Sequence, residues 1–114
     1  MFVITRVKNP NIEYSSIHYT SIQMLVQNVI VEFFATMFFV YVILATGNPL
    51  AIGATLALIV LLTGKISGGY VNPAVTIVMS SAGQIPSAEV IPYCLAQVFG
   101  GLVALEIYKR VKAV

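Results

Sequence analysis

Apolar residues fill three long stretches of this chain with little helical or strand alternation, and the residues that separate them are turn formers. A segment that is apolar all round is surrounded by hydrocarbon or by protein. The first stretch, about residues 21–45, is long enough to cross a bilayer with some tilt, and Thr46-Gly47-Asn48-Pro49 ends it. The second, about 50–64, holds only ~14 to 16 apolar residues, short for a full span of roughly 30 Å. It leads into a loop from Gly64 to Val71. The third, about 87–110, opens at Ser87, a suitable N-cap, with Glu89 in the first turn where the helix dipole favours an acid. Pro92 marks a bend or a later start, and the segment closes in Glu106, Lys109, Arg110 and Lys112, with Glu106 at helical spacing from Lys109 and Arg110.

A fourth, shorter signal lies between the second and third stretches, in Ser67-Gly68-Gly69-Tyr70-Val71-Asn72-Pro73-Ala74-Val75-Thr76. Asn is a favoured N-cap, Pro suits the first helical position because the N–H it lacks had no partner there, and glycines permit a tight approach turn. From Pro73 to the next breaker, Gly83, a helix over about 73–82 has ~10 residues and a length of about 15 Å, half of a bilayer's hydrocarbon. The pattern predicts an all-α membrane protein with three transmembrane helices and one re-entrant half-helix. Lipid offers no hydrogen-bond partners, so a half-span helix and its loop must be walled in by protein or line a wet cavity. Ala96, Gly100 and Ala104, at i, i+4 and i+8, give the third helix a strip for close packing, and Gly53 with Ala57 gives the second a similar face.

Composition supports this choice of solvent. Of 114 residues, 59% are hydrophobic and 9% charged, with a mean hydropathy of +0.94. A soluble domain carries about 25% charged residues. No formal charge occurs between Glu32 and Lys65, or between Lys65 and Glu89. Residues 1–20 form a polar arm ahead of a membrane domain over 21–114. Phe2, Val3, Ile4 and Val7 suit contact with the interface or a neighbouring subunit, and Tyr14, His18 and Tyr19 suit an interfacial anchor; an ordered tail without chemistry is the plainer reading. Met1 to Asn9 lacks the apolar core of a cleavable signal, so the arm is expected to persist. The single cysteine, Cys94, is read as a small residue in an apolar setting. With no Asp, one His and one Cys, the usual metal sites and Ser-His-Asp catalysis lack their parts. Gly64 to Gly69 leads to Asn-Pro and not to the Gly-Lys-Ser/Thr of a phosphate loop, and no basic patch with interleaved aromatics suggests nucleic acid. Neither an enzyme nor a cofactor is expected.

Three ordered segments carry a family resemblance. Gly64-Lys65-Ile66-Ser67-Gly68-Gly69-Tyr70-Val71-Asn72-Pro73-Ala74-Val75-Thr76 resembles the asparagine-proline-alanine loop of the aquaporin and glycerol-facilitator family. Val31-Glu32-Phe33-Phe34-Ala35-Thr36 is similar to the start of that family's first helix, and Tyr93-Cys94-Leu95-Ala96-Gln97-Val98-Phe99-Gly100-Gly101 to its third. The resemblance implies half of an aquaporin-like fold, because family members hold two such repeats inverted in the membrane around a pore. It implies that Asn72, Pro73 and Ala74 face the solute and that Glu32 and Gln97 brace the loop. The plainer reading of Glu32, a charge snorkelling to a helix end, must meet a penalty of ~2.5 to 3.5 kcal/mol for an acid facing lipid.

By the family's motif spacing, the selectivity filter falls at Ile52, Val60 and Val75, with Lys65 and Tyr70 at the vestibule. Here the chain departs from the pattern, since the family's filter usually has Arg after the second motif and often a His. An apolar filter either admits small neutral solutes with little discrimination or dewets and closes. Tyr70 either plugs the vestibule or packs. Pro49-Leu50-Ala51-Ile52-Gly53 resembles the helix opening of the family's second repeat, whereas Val75 resembles the first. Arg6, Lys8 and Lys65 would face one side and Lys109, Arg110 and Lys112 the other, which sets no strong orientation. Two functions stay open. One is a half-channel subunit in the lipid bilayer, passing water or small neutral solutes with a second copy as an antiparallel homodimer or with a complementary half-channel chain. The other is a non-conducting structural or partner-binding membrane protein in a larger assembly such as a virion.

Overall fold

The computed structural model describes the backbone of residues 10–113 and the side chains of residues 21–112. The described residues are helical with connecting turns and contain no strand: α1 is Pro10–Thr46, α2 Pro49–Thr63, α3 Pro73–Ser81 and α4 Val90–Ala113, the last preceded by a 3₁₀ turn at Ser87–Glu89. Within these, Ser21–Thr46 and Ser87–Lys112 are each 26 residues and apolar enough to cross a membrane. The 15 residues of α2 extend about 22 Å and the nine of α3 about 13 Å at 1.5 Å per residue.

The helix boundaries differ from the sequence reading at two places. Residues 10–20 belong to α1 and not to a separate arm. Pro10 suits a first helical position, and no further Pro or Gly interrupts the run to Thr46, so its polar residues continue the helix. Residues 1–9, and the side chains of Tyr14, His18 and Tyr19 given an anchoring role, lie outside the described residues. At the third stretch, Ser87 is not an N-cap. Pro86 precedes a 3₁₀ turn that has no side-chain cap, and Glu89 N–H donates to Pro86 C=O at 3.0 Å. Pro92 then falls in the first turn of α4, where its missing N–H had no intrahelical partner.

A two-residue turn folds α2 back on α1. Gly47 takes a left-handed φ of +54°, and Asn48 caps α2 with its Oδ1 accepting from the N–H groups of Leu50 (2.9 Å) and Ala51 (3.1 Å). Ile59 of α2 then packs with Ala35 of α1 and Val71 of the loop. Helix α4 runs parallel to α1 and crosses it closely at Gly100. A Cβ on Gly100 would run into the carbonyl oxygen of Phe33 and lie 3.3 Å from the N–H nitrogen of Met37. Ala96 and Ala104, one turn to either side, are buried.

Polarity is inverted relative to a soluble domain. Glu32, Thr36, Thr55, Ser67, Thr76 and Gln97 are buried, while Leu50 is 84% and Leu61 82% exposed. Buried polar groups with large exposed apolar surfaces call for hydrocarbon or another protein outside.

Candidate functional site

Helix α3 starts where the sequence places a cap and a proline together. Asn72 is extended (φ −155°, ψ 125°), its Oδ1 accepts from Ala74 N–H at 2.8 Å, and Pro73 is the first helical residue. One turn on, Thr76 donates its hydroxyl to the Asn72 carbonyl oxygen at 3.0 Å. Thr76 also meets Gln97 of α4, whose Nε2 donates to the Thr76 hydroxyl at 2.8 Å. This contact is wholly buried and fixes the short helix to the long one.

The loop before α3 satisfies its N–H groups one after another. Thr63 C=O accepts from Ile66 (2.9 Å), Ser67 (2.9 Å) and Gly68 (3.3 Å), and the Ser67 hydroxyl accepts from Gly69 N–H at 3.3 Å. The next two donors reach across to α1: Tyr70 N–H donates to Glu32 Oε1 at 3.0 Å and Val71 N–H to Glu32 Oε2 at 2.8 Å. Glu32 also accepts from the Ser67 hydroxyl at 2.7 Å and from Gln97 Nε2 at 2.9 Å. One fully buried carboxylate thus ties α1, the loop and α4 together, and charge-assisted bonds of this kind are about twice as strong as neutral ones. Tyr93 adds a tie from α4, donating its hydroxyl to the Ser67 carbonyl oxygen at 2.8 Å.

These ties hold a backbone that would not otherwise persist. Gly69 has a φ of +64°, and a Cβ there would lie 2.9 Å from the Thr63 hydroxyl oxygen and 3.2 Å from Val60 Cα. Val71 has a φ of +46°, a left-handed conformation that is a genuine outlier for a β-branched residue. Its burial with Ala35 and Ile59, and its N–H bond to Glu32, offset the strain.

The remaining sequence-selected residues divide into two groups. Glu32, Gln97, Ala96, Gly100 and Ala104 are brought together in the buried α1–α4 contact and the brace above it. Asn72, Ala74, Val75, Val60 and Lys65 stay exposed, with Pro73, Ile52 and Tyr70 half-buried. The Tyr70 ring folds over Gly68, where a Cβ would lie 2.6 Å from it, and its centroid is 6.0 Å from that of Tyr93. Gly53 meets nothing within 4 Å, so the small face of α2 packs against no part of the described chain; α2 buries Thr55 and Ile59 instead. Sequence reasoning assigned no role to Ser67, Thr76 or Tyr93, although all three are buried parts of the brace. For Thr76 a signal was present, since it stands four residues after the cap Asn72.

A family model described as Major intrinsic protein matches residues 46–113. Aquaporin Z of Photorhabdus laumondii is 47% identical over 58 residues, covering 51% of this chain and 25% of the relative. Aquaporin Z of Brucella melitensis is 37% identical over 91 residues, covering 67% of this chain and 40% of the relative. Aquaporin-8 of Notomys alexis is 42% identical over 62 residues, covering 54% of this chain and 24% of the relative. The chain thus spans about a quarter to two fifths of the length of these relatives.

Proposed function

Because the chain belongs to the major intrinsic protein family, we propose that it is a half-channel subunit for water or small neutral solutes, completed by a second copy inserted the other way up. The chain is an integral membrane protein of a channel family, not of an enzyme family. In the proposed arrangement α1, α2 and α4 cross the membrane and α3 enters it only to the midplane. The observation that carries this reading is the braced start of α3. Asn72 commits its Oδ1 to Ala74 N–H, so its exposed amide presents Nδ2 as a donor to a passing oxygen. The N-terminal end of α3 adds partial positive charge, which disfavours cations and leaves neutral solutes unhindered.

The need for a second half rests on what α3 leaves open. Ile77 is 52% and Val78 64% exposed, and a half-span helix with its loop cannot face lipid along that side. The small face of α2 at Gly53 and Ala57 is also free for close approach by another helix. Three crossings put the two ends of the unit on opposite sides, so only an inverted partner places a second half-helix opposite the first. A complementary half-channel chain satisfies the same geometry. Ile52, Val60 and Val75 favour a second reading, a non-conducting membrane element, because an apolar constriction can dewet and close.

Osmotic shrinkage of proteoliposomes distinguishes the two. The channel reading expects faster shrinkage than in empty liposomes, abolished by Val75→Trp, whose side chain would fill an exposed position in the first turn of α3. Folded protein that leaves the rate at the empty-liposome value rejects conduction.

A further inference from the structure

We propose that the end of the α1–α4 pair where α4 terminates is a binding site for one anionic phospholipid, with its acyl chain in an apolar groove and its headgroup held by Arg110 and Lys112. The groove, about 200 Å³, is lined by Met37, Phe38, Tyr41 and Ile107, with no charged group in its wall. It lies beside the parallel contact of α1 and α4, at the level where Tyr41 and Tyr108 meet edge to face with centroids 6.4 Å apart. Paired tyrosines near the ends of membrane helices mark the boundary between hydrocarbon and headgroups. Val111 stands one turn beyond Ile107 and extends the apolar strip toward the end of α4. Arg110 and Lys112 are its neighbours in sequence, so they project about 100° to either side of that strip.

Charge selects the occupant. Lys109 is engaged by Glu106 at 3.3 Å, which leaves Arg110 and Lys112 as the cations in the last turn of α4 with no acidic partner among the described residues. Lys112 Nζ stands 5.8 Å from the centre of the Tyr108 ring, which in turn meets Tyr41 of the groove wall. Arg110 can clasp a phosphate through two N–H groups, and the ring carries the Lys112 ammonium without neutralising it. A zwitterionic lipid fills the groove as well but brings a cation of its own to this end. The site therefore takes an anionic glycerophospholipid in preference to phosphatidylcholine. It does not depend on whether the chain conducts.

Intact-complex mass spectrometry of the full chain in detergent, titrated with phosphatidylglycerol or phosphatidylcholine of equal chain length, tests the proposal. One phosphatidylglycerol should bind per chain, with a preference of about thirtyfold, being about fivefold for each of two cations near a membrane surface. Arg110→Gln with Lys112→Gln should reduce the preference to within about twofold of unity, whereas Lys65→Gln, at the opposite end of the helices, should leave it unchanged. Phe38→Trp, which crowds the groove, should weaken both lipids. Equal binding of the two lipids by the unsubstituted chain, or loss of preference in Lys65→Gln as large as in the double variant, would overturn it. Both charge variants alter exposed side chains, and helix content by circular dichroism confirms that they fold.

Discussion

Replacing Glu32 with Gln changes one oxygen to an NH2 group and leaves the shape almost unaltered, so it isolates the acceptor role of the carboxylate. Each oxygen takes two hydrogen bonds: Oε1 from the Ser67 hydroxyl and Tyr70 N–H, Oε2 from Val71 N–H and Gln97 Nε2. The Ser67 hydroxyl can rotate and the Gln97 amide can flip, but the two backbone N–H groups cannot. Whichever way the new amide turns, its NH2 faces one of them. An orphaned buried donor costs about 1–3 kcal/mol, and the remaining bonds lose their charge assistance, giving a total near 3 kcal/mol. Local opening of the loop should then be about a hundredfold more frequent. Hydrogen–deuterium exchange of the peptide containing Tyr70 and Val71, in protein held in lipid nanodiscs, reads this directly. Exchange within threefold of the unsubstituted protein would show that the carboxylate does not hold the loop, and would remove the physical basis for the braced site.

Three other substitutions test separate parts of the site. Gly100→Val drives a side chain into the Phe33 backbone at the α1–α4 crossing, and should lower the thermal unfolding midpoint in detergent by the equivalent of about 1–3 kcal/mol, or prevent folding. Tyr93→Phe removes the hydroxyl that serves the Ser67 carbonyl, and should cost about 1 kcal/mol by thermal unfolding while leaving helix content intact. Asn72→Ala removes the cap of α3 and should cost about 1 kcal/mol while reducing osmotic permeability, so that permeability and stability both fall.

How much of this was legible in the sequence depended on whether the information was local. The α3 start could be read because Asn72 and Pro73 each solve a terminal hydrogen-bond problem without help from elsewhere. Glu32 stood out because an acid in an apolar run must find partners, although the partners themselves could not be named from spacing. Ser67, Thr76 and Tyr93 escaped notice because neutral residues carry no comparable penalty to signal them. Their value arises only when the loop, α3 and α4 meet. The start of α1 was misplaced because polarity reports the solvent around a segment, not its backbone: residues 10–20 are helical despite their polar content. The strain at Val71 was invisible for a related reason. Valine disfavours the left-handed region, and only contacts with Glu32, Ala35 and Ile59 impose it.

The proposal that matters most is that this half-fold pairs with another copy of the chain in the opposite orientation. Its most direct test is side-specific labelling in intact cells of a cysteine added at the N-terminus in a Cys94→Ala background, using a membrane-impermeant thiol reagent before and after permeabilisation. With both orientations present, about half of the added cysteines should react before permeabilisation and the rest only afterwards. Reaction of all of them from one side, in protein shown to be folded, would contradict it.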